Sequence, residues 1–402
     1  QQIESVATFV VGLVADPPAP AYLYKPTGSK AAKLEGERLL NKYNCGGCHI
    51  LGLPEFKFAV NAEELYAPGF GTKNLASALP LLNKFNPAHV IDPTKAPKTK
   101  AGDISLSFHG LVKAEPDPEE APEDRVLVVT NWDHLQVGEK TLFPGDSITI
   151  PVAKLQSRNM GRGGDLAHWL APQLKAKETA GDGDRAWQAS PPPLVREGLK
   201  VQTPWLYQFL KEPNQIRYTT VLRMPKFNMD DAEAMALANY FAAVDGAAFP
   251  YQENARQNPD YLADAEAAHA KAFANAPQDR LTAGWKLLTT GQCTKCHQVG
   301  GRPYVSTDPS KDIRGPNLDQ VEKRLRSDWV QLWVTNPKWV TPYTSMPQVY
   351  AADASIMPEY IGGQPAGQID ATVDALLNYY KLLERHGKAE APPAAPAAPA
   401  AP

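Results

Sequence analysis

The sequence predicts a mainly α-helical protein built from two similar helical units, with a small β-rich insertion in the first unit. Two observations lead to this prediction. A Cys-x-x-Cys-His pattern occurs twice, with helical patterns at matching distances before and after it. Between the two parts of the first unit, polar and apolar residues alternate as they do in strands. The length of 402 residues is enough for two or three domains.

Composition and charge exclude several classes of protein. Hydrophobic residues make up 43% of the chain and charged residues 21%, which is ordinary for a globular protein. The net charge of −3 gives no indication of nucleic acid as a partner. No apolar run is long enough to span a bilayer, and the longest, Val6 to Ala15, lacks the positively charged start of a signal peptide. We expect any export signal to have been removed.

All four cysteines lie in the two C-x-x-C-H motifs. This pattern indicates covalent attachment of c-type haem, because each thiol can add to one vinyl group and the histidine is then held under the iron. A zinc site made from both cysteine pairs would leave the histidines unexplained, and a thioredoxin-like pair would have to occur twice by coincidence. The predicted attachment residues are Cys45, Cys48 and His49 in the first unit, and Cys293, Cys296 and His297 in the second.

The two motifs have matching surroundings. Gly36 and Gly284 each lie nine residues before the first cysteine, within a short helical pattern. A glycine on a helix face allows a second helix to approach closely. Each unit continues with a proline thirteen residues before a tryptophan, then a Met-Pro pair and an amphipathic helix. These features are Pro192, Trp205, Met224 and the helix Asp231–Val244, matched by Pro316, Trp329, Met346 and a helix at about Asp370–Arg385, with aligned aromatic steps at Asn239–Phe241 and Asn378–Tyr380.

In these features the sequence resembles the class I c-type cytochrome family twice, over about 30–50 with 188–246, and over about 280–386. The resemblance implies two class I cytochrome c-like domains, each holding one covalent haem c between a histidine and a methionine. It implies His49 and His297 as proximal ligands, Met224 and Met346 as distal ligands, and Pro192 and Pro316 as the residues facing the proximal histidines. Met229 and Met357 compete as distal ligands, and Met357 is the stronger rival because a proline follows it too.

The first unit departs from the family pattern by a long insertion. His49 and Met224 are 175 residues apart, against 49 for His297 and Met346. The insertion, at about 54–190, has strand-like alternation at 104–108, 125–129 and 147–150, with a turn at Leu142–Asp146. We expect it to serve as a docking surface or a shield for the haem edge. Weaker candidates in it are His89, His109, His134 and His168 as distal ligands, and Arg158, Arg162 and Arg185 as partners of the haem propionates.

The chain divides into five predicted segments. Residues 1–29 form an N-terminal helix and linker, 30–250 the first cytochrome domain, 251–279 a linker, 280–388 the second domain, and 389–402 an Ala/Pro-rich spacer. The step Thr8–Val10 aligns with the aromatic steps of the two closing helices. One hypothesis is therefore that the chain is a segment of a longer multihaem protein. The alternative is an ordinary N-terminal helix that packs on the first domain.

The predicted function is electron transfer by the two haems, as a soluble carrier or as the cytochrome subunit of a larger respiratory or redox complex. The expected partners are redox proteins, other subunits and further haem domains, with no nucleic acid and with membrane contact only through a complex. The family implies a periplasmic or otherwise exported location in a bacterium. The alternative is a peroxidase-like dihaem oxidoreductase, in which the long insertion leaves the distal side of the first haem open.

Overall fold

The computed structural model describes residues 2–12, 24–61, 78–177, 183–250, 253–274, 278–290, 292–300, 314–350 and 357–386. The predicted Ala/Pro spacer lies outside the described residues. The helices are α1 Gln2–Gly12, α2 Gly28–Lys42, α3 Leu79–Phe85, α4 Asp165–Ala176, α5 Gly183–Ala189, α6 Glu197–Lys200, α7 Thr203–Lys211, α8 Asp231–Val244, α9 Pro259–Ala272, α10 Arg280–Thr290, α11 Val321–Arg324, α12 Ser327–Thr335, α13 Pro365–Leu377 and α14 Tyr379–His386. The strands are β1 Ile50–Gly52, β2 Glu55–Val60, β3 His89–Ile91, β4 Ile104–Ala114, β5 Val126–Asn131, β6 Leu135–Val137, β7 Lys140–Leu142, β8 Ser147–Pro151, β9 Leu155–Asn159 and β10 Arg162–Gly163.

The fold is mixed α/β, so the prediction of a mainly α protein with a small β-rich insertion is wrong. Helices account for 48% of the structure and strands for 16%. One sheet has five strands in the order β8-β5-β4-β2-β9, another three in the order β3-β6-β7, and β1 pairs with β10. Three of these strands were visible as alternation, whereas the others are very short or, like β9, exposed along most of their length. Such strands carry too little periodicity to be recognised.

The five-stranded sheet and the three-stranded sheet share a hydrophobic core, separate from that of the helices. The inward side chains of the five-stranded sheet include Phe56, Phe108 and Ile150, each no more than 1% exposed. Phe108 packs against both aromatic residues of β2, stacking on Phe56 at 5.7 Å and meeting Phe58 edge-on at 5.9 Å. The β-rich region is therefore a packed structural layer in its own right.

The N-terminal and C-terminal helices of each helical unit cross at a glycine, as predicted. A Cβ atom on Gly36 of α2 would lie 2.1 Å from the Cβ of Tyr240 in α8. A Cβ on Gly284 of α10 would lie 2.1 Å from the carbonyl oxygen of Ala371 in α13. Gly36 therefore leaves room for the Tyr240 side chain, and Gly284 for the backbone of α13.

The helix expected at about 370–385 is two helices, α13 and α14, which are separated at Asn378. The Asn378 amide donates to the carbonyl of Asp374 at 3.0 Å and to that of Arg256 at 2.9 Å. A side chain that bonds to backbone in this way competes with helix continuation. The aromatic step at Asn378 therefore follows a break, whereas the step at Asn239 lies inside α8.

The two units meet through backbone pairing between equivalent residues. Val201 and Leu325 form an antiparallel bridge, and they are separated by the same 124 positions as Trp205 and Trp329. The short helices α6 and α11 that precede them, and the longer helices α7 and α12 that follow, are matched by the same offset. The contact is consequently a local pseudo-two-fold axis between the halves of one chain.

Four hydrogen bonds across this axis come in two equivalent pairs. The backbone N–H of Gln202 donates to Arg324 at 2.8 Å, and that of Arg326 donates to Lys200 at 2.9 Å. The Gln202 side chain also donates to the carbonyl of Leu325 at 2.7 Å, and the Arg326 guanidinium to that of Val201 at 2.9 Å. Each unit therefore satisfies backbone groups of the other.

The segments flanking the units differ in burial. The predicted linker at 251–279 contains α9, and Arg256 just before it binds the buried Asp374 of α13 at 2.6 Å. In α1, the side chains of Ile3, Val6 and Phe9 are 86%, 63% and 66% exposed, so these three apolar residues are not buried. Among the described residues, no helix is long and apolar enough to span a bilayer.

The substitution Gly284→Ala should destabilise the protein by about 1–3 kcal/mol, because the added Cβ meets a backbone oxygen. At an unobstructed helix position the same change would stabilise by up to about 1 kcal/mol, so the sign of the effect tests the crossing. The measurement is the urea midpoint of unfolding. Lys286→Ala, on the exposed side of the same helix, is the control and should leave the midpoint almost unchanged. A midpoint for Gly284→Ala at or above the wild-type value would contradict the crossing.

Candidate haem-attachment sites

Each C-x-x-C-H motif forms one compact turn directly after a helix. Cys45–Gly47 and Cys293–Lys295 are single 3-10 turns that follow α2 and α10. In both motifs the backbone N–H of the histidine donates to the carbonyl of the first cysteine at 2.9 Å. Two thiols and one imidazole therefore project from the same turn in each unit, and all four cysteines are partly exposed.

The two histidines make the same hydrogen bond. Nδ1 of His49 lies 2.7 Å from the carbonyl oxygen of Pro192, and Nδ1 of His297 lies 2.7 Å from that of Pro316. Because a carbonyl can only accept, the proton is assigned to Nδ1, which leaves the lone pair of Nε2 as the donor toward a metal. A second-sphere carbonyl that fixes tautomer and ring orientation is the usual support for a ligating histidine.

Burial lowers the pKa of both His49 and His297, so both rings are neutral at pH 7, as metal coordination requires. In the second unit, the His297 ring also packs tightly against the backbone at Gly315, the residue before Pro316. A Cβ on Gly315 would lie 2.4 Å from Cε1 of His297. Only glycine leaves room for the imidazole at that position.

The cysteines do not have the properties of the alternative sites. Burial raises the pKa of Cys45, Cys296 and Cys293, the last to about 11, whereas a thioredoxin-like motif needs a lowered thiol pKa. A zinc site would need its ligands close together. Within the described ranges, no three His, Cys, Asp or Glu side chains converge on one point where a metal ion could be held. A single histidine beside two separate thiols is instead the donor set that fits covalent haem c.

The candidate methionines lie in different surroundings. The Met346 Sδ accepts a hydrogen bond from Trp333 Nε1 of α12 at 2.9 Å. Its rival Met357 packs with the cluster around Ile361, and its sulfur lies 3.9 Å from the Thr290 hydroxyl. Met224 and Met346 are both half-buried, while Met229 is 3% exposed and part of the main core. The buried position of Met229 is that of a core-filling residue.

The weaker candidates in the insertion have local surroundings of their own. His109 pairs with Asp133 at 3.0 Å, which raises its pKa, and His134 Nδ1 lies 2.9 Å from the Asn83 side chain. His168 meets the Trp187 ring edge-on, and His89 is exposed. Of the arginines, Arg158 pairs with Glu115, Arg162 pairs with Glu37, and Arg185 is exposed.

A group of half-buried basic residues beside His49, around the buried Glu197, was not predicted. Lys200 pairs with Glu197 at 2.9 Å, and the Arg324 guanidinium lies 5.1 Å from the centre of the Trp205 ring. Burial lowers the pKa of Lys200, and lowers that of Arg324 to about 10. Arg217, which hydrogen-bonds Tyr343, adds a third cation near the same carboxylate.

Three cations around one carboxylate leave an excess of positive charge next to a candidate ligand. Such an excess is favourable where an anionic group is bound, and haem c carries two carboxylates. No sequence pattern indicates this cluster, because Lys200 and Arg324 are 124 positions apart and come together only at the pseudo-two-fold contact.

No family model, curated protein or solved structure matches this chain. The resemblance to class I cytochromes therefore depends on the motifs, their repeated spacing and the geometry described above.

The substitution Glu197→Gln should lower the free energy of unfolding by about 3 kcal/mol, because it removes a buried carboxylate that pairs with half-buried cations. Glu35→Gln, which removes an exposed ion pair with Arg38, is the matched control and should cost less than about 1 kcal/mol. Urea unfolding of both variants makes the comparison. Equal losses of unfolding free energy in the two variants would show that Glu197 does not compensate the cations around it.

Proposed function

We propose that the protein transfers electrons through two covalently bound c-type haems, as a soluble carrier or as the cytochrome subunit of a larger redox complex. The main support is the repeated geometry: in both C-x-x-C-H turns, the histidine Nδ1 lies 2.7 Å from a proline carbonyl and Nε2 remains available. A haem bound there supplies one-electron redox chemistry. The protein would contribute the iron ligands, a partly buried site for each haem, and positive charge beside the first site.

The proposed roles follow the two halves of the repeat. The thiols of Cys45 and Cys48 attach one haem and those of Cys293 and Cys296 the other. His49 and His297 are the proximal ligands, positioned by the carbonyls of Pro192 and Pro316. Met224 and Met346 are the distal ligands, and a thioether in this place favours the reduced state.

The contact between the halves supports transfer within one molecule. The backbone pairing at Val201 and Leu325 joins the units directly, and Arg324 of the second unit lies in the basic cluster beside His49. A fixed arrangement of this kind suits passage of an electron from one site to the next. The expected partners are redox proteins or further subunits, in a periplasmic or exported location where haem c is attached.

The haem count tests this proposal. The chain, produced with a c-type haem attachment system, should carry two haems by the pyridine haemochrome assay and by mass. Cys293→Ser with Cys296→Ser should reduce the count to one, while Lys295→Ala, within the same turn, should keep two. A wild-type chain that carries no covalent haem would overturn the proposal.

The two units differ at one position that bears on the redox potentials. Trp333 donates to the Met346 sulfur, whereas the equivalent residue of the first unit is Phe209, which has no donor. A donor withdraws electron density from the sulfur, so it weakens donation to ferric iron and favours the ferrous state. We expect the second haem to have the higher potential for this reason.

The substitution Trp333→Phe should lower the potential of one haem and leave the other unchanged. The shift should be at most about 40 mV, since a net hydrogen bond of about 1 kcal/mol corresponds to that value for a one-electron couple. Spectroelectrochemical titration measures both potentials. Trp329→Phe, which changes the ring stacked on Trp333 at 4.8 Å, is the control. Unchanged potentials in Trp333→Phe would contradict the idea that the Trp333 N–H raises the potential of the second haem.

A further inference from the structure

The segment leading to Met346 is buried beneath the insertion of the first unit. Asn336, Trp339, Tyr343 and Thr344 are between 2% and 6% exposed. The insertion at about 54–190 and this segment belong to different halves of the repeat, so their contact is not part of either helical unit. It joins the β-rich region of one unit to the segment before Met346 in the other.

The central contact is an aromatic stack. Phe143 stacks on Trp339 at 5.4 Å, and His134 stacks on Phe143 at 5.2 Å. Phe143 belongs to the turn at Leu142–Asp146, where its N–H donates to the Asp146 carboxylate at 2.8 Å and its carbonyl accepts from Asn131 at 2.9 Å. These bonds fix the ring that faces the second unit.

Further contacts follow the segment on both sides of this stack. A Cβ on Gly145 would lie 2.7 Å from the Cβ of Lys338, so the turn approaches the segment at van der Waals distance. Trp132 packs on Tyr343 at 5.9 Å. Immediately before Met346, the Ser345 hydroxyl donates to the Gln188 side chain at 2.9 Å. The insertion thus contacts the segment from its start to the residue before the methionine.

Among the described residues, the corresponding segment of the first unit is less covered. Val221 and Leu222, which lead to Met224, are 53% and 48% exposed. A hydrogen bond from the N–H of Val221 to the carbonyl of Ala189 at 3.1 Å ties that segment to the insertion. The described part of the insertion therefore covers the segment before Met346 more than the segment before Met224.

We propose that the insertion is a brace that positions Met346 as the distal ligand of the second haem. This inference rests on the proposed function, because it takes Met346 as a ligand. Phe143, Trp132 and Gln188 act as positioning residues through the backbone of 337–345. A methionine on a segment held by packing stays bound to iron, whereas one on a loose segment is more readily lost or replaced.

The test is Phe143→Ala in the haem-loaded protein, read by the methionine-to-iron charge-transfer band of the ferric state. The haem count should stay at two, while the band should fall to about half and carbon monoxide should bind one reduced haem. Phe143→Leu keeps most of the apolar contact and should retain most of the band. Trp169→Ala, which removes an exposed aromatic residue elsewhere in the insertion, is the control and should change nothing.

Two combined variants identify the haem that is affected. With Met346→Ala, Phe143→Ala should cause no further loss of the band, whereas with Met224→Ala it should remove the remaining band. Gln188→Ala provides a milder change if Phe143→Ala fails to accumulate, and it should speed carbon monoxide binding at the same haem. A full band in Phe143→Ala with two haems present would overturn the brace, while a wild-type chain without haem would instead overturn the proposed function.

Discussion

The arrangement of the molecule depends on the backbone pairing at Val201 and Leu325. This pairing joins equivalent residues, and Gln202 and Arg326 repeat each other's hydrogen bonds on its two sides. Because the bonds use backbone groups that would otherwise be buried without partners, separating the units would cost free energy. The contact therefore fixes the distance and orientation between the two attachment turns.

The same contact explains why half-buried cations come together beside His49. The carbonyl of Arg324 accepts the N–H of Gln202, so the Arg324 side chain is held close to Lys200 and Glu197. Withdrawing a charge from water is unfavourable unless it is paired, and here three half-buried cations lie around the buried carboxylate of Glu197. Such an excess of positive charge favours an additional anionic group at this position. A bound haem offers carboxylates of the right charge, which connects the interface with the proposed cofactor.

The sequence predicted the local features of the sites much better than the architecture around them. The two turns, the glycine crossings and the strands at Ile104–Ala114 and Val126–Asn131 follow from spacing and periodicity, which are properties of neighbouring residues. The fold class was wrong because strands such as β1 and β10 are too short to show alternation and form only by pairing across more than a hundred residues. The basic cluster and the Phe143–Trp339 stack were not predicted for the same reason, since each joins residues from separate halves.

The asymmetry of the two methionine segments bears on the choice between carrier and enzyme. An electron carrier needs both haem irons six-coordinate, whereas a peroxidase-like enzyme needs one haem whose distal ligand can leave. The long insertion first suggested that the second possibility would arise through disruption of the first site. In the structure the insertion contributes differently: it covers the segment before Met346, and it leaves Val221 and Leu222 before Met224 exposed. A packed segment before Met346 and a more exposed segment before Met224 fit a carrier in which the proposed first haem exchanges electrons with partners. Under the proposed function, any ligand exchange is therefore expected at the first haem, because Val221 and Leu222 before Met224 are exposed while the segment before Met346 is packed.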